Sequence, residues 1–336
     1  MSVGGENKNT PCVNATLFPT LAKLRLPSDR CRTPMTTPIT RRTALRSLAG
    51  VAAVAALGRT RAADEKIPSA MPTSTTDSFR HSACKWCYPK ISLDELARVA
   101  KDLGLASIEL INPEDFPTIQ KYGLVCAMVN FPTGKTPAGV TVGGITKAFN
   151  RREHHDTLVE LYTKQIAATA GAGFENLICF SGNREGLNDE QGLENCAIGL
   201  KRLMPLAEKS KVTICMELLN SKVNHKDYMC DHTAWGVELA KRVGSDRFKL
   251  LYDIYHMQIM EGDVIRTIQD SHDYLAHYHT GGNPGRHEID ETQELNYPAI
   301  ARAIKATGFR GFVAQEFVPA RDPLTSLRAA IKLCTV

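Results

Sequence analysis

From residue 79 onward the chain alternates short apolar runs with longer amphipathic stretches, the pattern of βα units that assemble a parallel sheet. Eight runs read as strands: 79–84, 107–111, 124–131, 176–182, 212–220, 248–256, 274–282 and 311–319. Helices are predicted between them. Ser92 caps a helix over 93–103, with Glu95 at the capping-box position and Gly104 as the stop. Further helices are expected over 152–171, 189–209, 232–243, 296–307 and 322–334, with Asp231 and Asn296 as N-caps and Gly308 as a stop. Eight strands in about 260 residues fit one closed (β/α)8 TIM barrel of α/β class. An open doubly wound sheet normally carries a Gly-rich phosphate fingerprint after its first strand, and this sequence has none there.

In such a barrel the active site is assembled at the C-terminal ends of the strands, so polar residues there say the most about chemistry. Four strand ends supply metal-ligand types: Glu217, Asp253, His279 and Glu316, separated by 36, 26 and 37 residues, each about one βα unit. An acid that follows several apolar strand positions is costly to bury unless it is paired or bound to a cation. Three carboxylates and one imidazole converging on one centre suit a divalent ion such as Mn2+, Mg2+ or Co2+. His256, three residues past Asp253, can donate to a substrate oxygen or orient a ligand, and Asn220 can bond substrate or cap the following turn. Arg286, in the loop after the seventh strand, can hold a substrate carboxylate by a charged fork. Glu109 ends the second strand and reads equally as a structural carboxylate or a substrate contact. Trp86 and Phe131 are candidate apolar walls, Asn130 is undecided, and His287 and Glu288 read as part of a solvated, charged loop.

Composition adds a division of the chain. The formal net charge is +5, but residues 1–63 hold ten of the 41 Lys/Arg and two of the 36 acids, which leaves 31 basic against 34 acidic residues in the remainder. A mildly acidic domain lacks the clustered basic charge that nucleic-acid binding needs. The leader combines Arg41-Arg42, an apolar run over 48–57 and Arg61-Ala62-Ala63, and it resembles a twin-arginine export signal. Its apolar run is about half the ~20 residues that a bilayer span needs, so no permanent membrane span is expected. The domain reading is an unstructured 1–34, a signal over 35–63, a linker over 64–77 and the barrel over 78–336, exported to the periplasm or cell envelope. Of the ten cysteines, Cys126, Cys179 and Cys215 lie in apolar strand-like runs and read as buried thiols. The lone Cys84-Lys-Trp-Cys87 has too few further ligands for a zinc site.

Residues 79–336 resemble the xylose-isomerase-like barrel superfamily, which includes hydroxypyruvate isomerases and ketose 3-epimerases. The resemblance rests on Gly104-Leu-Ala-Ser-Ile-Glu-Leu, Asn130-Phe-Pro-Thr-Gly, Glu217-Leu-Leu-Asn, Asp253-Ile-Tyr-His-Met-Gln-Ile-Met-Glu-Gly-Asp, Pro284-Gly-Arg-His-Glu, Glu294-Leu-Asn-Tyr and Glu316-Phe-Val-Pro. The stretch from Asp253 and the two from Pro284 and Glu294 are most similar to hydroxypyruvate isomerases; histidine at 279, where many of those have glutamine, is more like the epimerases. The resemblance implies proton transfer on a small hydroxy-carbonyl substrate, with a metal stabilising the enediolate and Glu217 and Glu316 as the catalytic pair. Hydroxypyruvate isomerase is the leading expectation and ketose 3-epimerase the alternative. An endonuclease-IV-like phosphodiesterase would need more histidines and a basic surface, and a non-catalytic sugar-binding barrel would be expected to have lost a glutamate. The expected partner is the small-molecule substrate, with a homo-oligomer left open.

Overall fold

The structure, a computed structural model, describes residues 78–336. The proposed signal and linker therefore lie outside the described residues. In chain order the strands are β1 Arg80–Cys84, β2 Ser107–Glu109, β3 Gly134–Lys135, β4 Thr141–Val142, β5 Asn176–Cys179, β6 Thr213–Glu217, β7 Phe248–Asp253, β8 Leu275–Thr280 and β9 Phe312–Gln315. Seven of them form one parallel sheet in the order β2-β1-β9-β8-β7-β6-β5, and β3 and β4 make a separate hairpin. The segment over 124–131, expected as a strand, closes the ring through single parallel bridges, Val125 to Ser107 and Val129 to Leu177. Its ladder is interrupted because the Ala127 amide donates to the Ser107 hydroxyl at 2.9 Å instead of to a neighbouring carbonyl. With this segment the ring has eight staves, as the hydrophobic pattern predicts.

Both faces of the parallel strands are covered, one by the barrel interior and one by helices, which is why they read as unbroken apolar runs. All five residues of β6 are buried. On the helix Leu93–Asp102, Leu96, Ala97 and Ala100 form the buried face, and the Ser92 hydroxyl accepts from the Glu95 amide at 3.2 Å as expected. Asn296 likewise caps Tyr297–Ala306. Asp231 does not cap the helix Thr233–Val243: its carboxylate is taken by Arg184, Ser221 and His232, and the free Thr233 amide goes to Glu261. The helix expected over 189–209 breaks into Asp189–Lys201 and Met204–Ser210, because Pro205 has no N–H to continue the first helix and fits the opening turn of the second.

Most predicted strands overran at their C-terminal ends, and the overrun is informative. Leu218, Leu219, Phe180 and Phe317 are buried and apolar like strand residues, yet they lie in the loops that crown the barrel. The run over 248–256 stops at Asp253 because its carboxylate accepts the His256 amide at 3.0 Å and starts the helix Ile254–Met260. The helices Ile254–Met260 and Val264–Ser271 had no counterpart in the sequence reading. Among the described residues eight cysteines are present as buried free thiols, and no helix is long and apolar enough to cross a membrane.

Candidate metal centre

Strand geometry brings the four sequence-predicted ligands together. Glu217 and Asp253 are the last residues of β6 and β7, His279 is the penultimate residue of β8, and Glu316 follows β9 directly. Register sets Asp253 beside His279 and His279 beside Ala314, two residues before Glu316. One ligand atom from each of the four lies within 4.8 Å of the others, and all four residues are buried. The His279 Nδ1 stands 2.8 Å from Glu316 Oε2 and 3.3 Å from Glu217 Oε1. These close approaches lack hydrogen-bond alignment, so Nδ1 is a buried nitrogen with no hydrogen-bond partner among the described residues. Such a nitrogen, facing buried carboxylates, fits a shared cation.

Electrostatics lead to the same requirement. Burial pushes the Asp253 carboxyl up to about 8 and raises that of Glu217, each with further repulsion from Glu316. Glu316 is held well below the ordinary range, since Arg286 and His279 outweigh its own burial. Arg286 reaches Asp253 Oδ2 at 2.9 Å and also pairs with Glu316, so its guanidinium supplies positive charge at the ligand carboxylates. The backbone that delivers it is unusual. Arg286 has φ of 59°, its carbonyl accepts the Val318 amide at 2.7 Å, and the loop passes so close to Gly282 that a Cβ there would sit 2.1 Å from the Glu288 carbonyl.

The remaining candidates fall into distinct roles. Asn220 spends its Oδ1 on the amides of Val223 and Asn224, capping the turn, and its Nδ2 lies 2.6 Å from His256 Nδ1. The Asn220 backbone amide donates to the same nitrogen, so Nδ1 is an acceptor, and Nε2 faces the Arg286 guanidinium, a donor only, at 3.1 Å. Burial, reinforced by Arg286, keeps His256 neutral. Trp86 is 44% exposed and donates to Glu316 Oε1 at 2.7 Å, so it belongs to the site rim and not to the core. Glu288 corrects the sequence reading: it is buried and accepts the Ala320 and Arg321 amides and the Ser326 hydroxyl, which ties the Arg286 loop to the loop after β9. His287 is exposed, as expected.

A cavity of about 330 Å³ opens beside Glu217, Glu316 and Arg286. Its walls are mainly apolar, including Trp86, Leu110, Phe131 and Phe180, with Asn130 and His225 as polar exceptions. Below the four ligands, Glu109 is fully buried and its Oε1 accepts from His277 Nε2 at 2.8 Å and His279 Nε2 at 2.9 Å. Burial alone would raise the Glu109 carboxyl, but the two histidines hold it at about 2. His277 and His225 were missed from sequence. His277 was findable, because residues two apart on a strand share a face; His225 lies in an irregular loop with no period to place it.

The family model of the xylose isomerase-like TIM barrel matches residues 91–334. The chain belongs to this family. Among similar proteins within the xylose isomerase-like group, the hydroxypyruvate isomerase of Escherichia coli strain K12 is 27% identical over 247 residues, covering 70% of this chain and 92% of the relative. The 2-oxo-tetronate isomerase of Haemophilus influenzae is 25% identical over 245 residues, covering 70% of this chain and 91% of the relative. In fold, the chain is similar to D-psicose 3-epimerase of Clostridium cellulolyticum H10, with a TM-score of 0.62 and 16% identity over 76% of this chain and 98% of that one. The curated relatives are isomerases, and the family is of the sugar isomerase and epimerase type.

Proposed function

We propose that this chain is a metal-dependent isomerase of a small 2-oxo hydroxy acid, with hydroxypyruvate, converted to tartronate semialdehyde, as the first candidate. The observation that carries this reading is the convergence of Glu217, Asp253, His279 and Glu316 on one buried centre beside a walled cavity. A divalent ion held there supplies Lewis acidity to neighbouring carbonyl and hydroxyl oxygens of the substrate. Proton movement falls to the glutamates. Glu217 lines the cavity, among the described residues no N–H donates to its carboxylate in an aligned hydrogen bond, and burial raises its carboxyl, which makes the ionised form a stronger base, so it is suited to take the proton from carbon. Glu316, fixed by Trp86, stands across the site as the partner that serves the neighbouring carbon or the opposite face. Arg286 lines the cavity and is placed to donate to substrate oxygens, whereas His256 is fully buried behind it; the apolar walls exclude water that would quench a carbanion.

Ketose 3-epimerisation is the second reading. It is favoured by histidine at 279 and by a cavity of about 330 Å³, roughly eleven waters' worth of space and more than a three-carbon acid fills.

Metal content tests the centre directly. Purified full chain should hold one divalent ion, and chelation should abolish turnover; active protein shown by elemental analysis to be metal-free would contradict this. The pH dependence has a definite sign. Below about 8 the metal-free Asp253 is protonated and an incoming ion must displace that proton, whereas above it the carboxylate is ready. Affinity for Mn2+, measured by calorimetry, should rise with pH up to at least about 8, because Glu217 and His279, both also shifted upward, must release protons too; a flat profile from pH 6 to 9 would disagree.

We also propose export through the residues 35–63 segment. N-terminal sequencing of protein from the native cell envelope should give a start near Ala63 or Asp64, and an intact 40–60 segment in that protein would exclude cleavage.

A further inference from the structure

We propose that Glu109 and His277 form a buried relay that sets the tautomer of His279 and so dictates that Nδ1 is the nitrogen offered to the metal; this rests on the metal reading above. The geometry assigns the protons. A carboxylate oxygen only accepts, and Glu109 Oε1 lies 2.9 Å from His279 Nε2, so a proton sits on Nε2 and Nδ1 is the nitrogen that faces Glu217 and Glu316. His277 Nε2 donates to the same oxygen at 2.8 Å. All three side chains have no solvent exposure, so water does not compete for these bonds.

His277 otherwise has no evident purpose. It is not among the four clustered ligands, it does not line the cavity, and its Nδ1 has no hydrogen-bond partner among the described residues. Its one polar engagement among the described residues is Glu109. A buried carboxylate and two buried imidazoles pack a barrel less favourably than apolar side chains of the same volume, so a purely structural role is a poor account of the set. The strand pattern explains how it is built. His277 and His279 point to the same side of β8, their rings 5.2 Å apart at 85°, while Glu109 reaches them from the end of β2. Cys84, paired with Glu109 in register, closes the remaining approach, its Sγ 3.8 Å from Glu109 Oε1. Glu109 and His277 are thus positioning residues: neither touches the cavity, and each acts on the metal through His279.

The test uses the full chain with Glu109→Gln, Glu109→Ala and His277→Phe, following Mn2+ affinity from the EPR signal of the free ion and His279 protonation from 15N imidazole spectra. Wild type should show the His279 proton on Nε2 with and without Mg2+, and Mg2+ should shift Nδ1. Glu109→Ala should lose the fixed tautomer and bind Mn2+ about 10- to 100-fold more weakly. Glu109→Gln keeps a carbonyl acceptor and should restore the tautomer while recovering only part of the affinity. His277→Phe, which keeps an aromatic volume but no donor, should weaken Mn2+ binding several-fold. A neutral wild-type His279 with its proton on Nδ1 would overturn the relay, as would wild-type Mn2+ affinity in a folded Glu109→Ala or, should that variant not fold, in both other variants. Failure of wild type to take up any ion would count against the metal reading alone, because the metal-free 15N spectra still report on the relay.

Discussion

Glu217→Gln and Glu316→Gln should each leave the barrel folded and reduce kcat by about three orders of magnitude, within the range that removal of a positioned acid or base produces. Both carboxylates are ligand candidates and, in the proposed reaction, proton carriers, so each change would remove a charge from the centre and a proton acceptor from that reaction. Glutamine retains the volume and one acceptor oxygen, which lets Trp86 keep its bond to position 316. The two variants should nonetheless differ. Glu217→Gln should abolish exchange of the substrate proton with solvent, since residue 217 is the better-placed acceptor, whereas Glu316→Gln should retain a larger fraction of exchange than of net turnover. Stopped or steady-state kinetics with deuterium exchange would resolve these effects. Near-wild-type kcat in either variant would remove that residue from the proton path.

Arg286→Ala should separate binding from catalysis and substrate from metal. A charged fork on a substrate carboxylate contributes about 1.5–3 kcal/mol, so KM for a 2-oxo acid should rise about 10- to 100-fold while kcat and KM for a neutral ketose move much less. Mn2+ affinity should hold or improve, because the guanidinium that pairs with Asp253 and Glu316 competes with the ion for the same carboxylates. In the chelated variant those carboxylates lose their counter-charge, and Tm should fall by an amount that added Mn2+ restores. Equal KM effects on acid and neutral substrates would show that Arg286 does not read a carboxylate. A large loss of Mn2+ affinity would show that it supports the metal instead of competing with it.

The legible part of this molecule is the part governed by local period. An acid or histidine at the end of an apolar run is visible in the sequence, and Glu217, Asp253, His279 and Glu316 were found that way before their convergence was seen. Pairings across the barrel leave no such trace. Glu109 and His277 are 168 residues apart, and nothing in either neighbourhood says that one accepts from the other. Loop residues failed for a related reason. Glu288 looks like one of several charges in a polar stretch, yet it is buried by amides from a segment more than 30 residues away. Asn220 is open in the sequence between substrate contact and turn cap, and in the structure its Oδ1 caps its own turn while its backbone amide donates to His256 Nδ1. The strand ends were overrun because burial continues into the crowning loops, so hydrophobicity alone does not mark where pairing stops.

The most direct measurement of the central claim is solvent-deuterium incorporation followed by NMR, with the full chain incubated in D2O with hydroxypyruvate and with a panel of free ketoses, before and after metal removal. Metal-loaded protein should convert hydroxypyruvate to tartronate semialdehyde with deuterium on the carbon that gains the proton, and chelation should stop both conversion and exchange. Epimerisation of ketoses at C3 without action on hydroxypyruvate would select the second reading, and absence of deuterium exchange with every substrate would contradict metal-assisted proton transfer at this site.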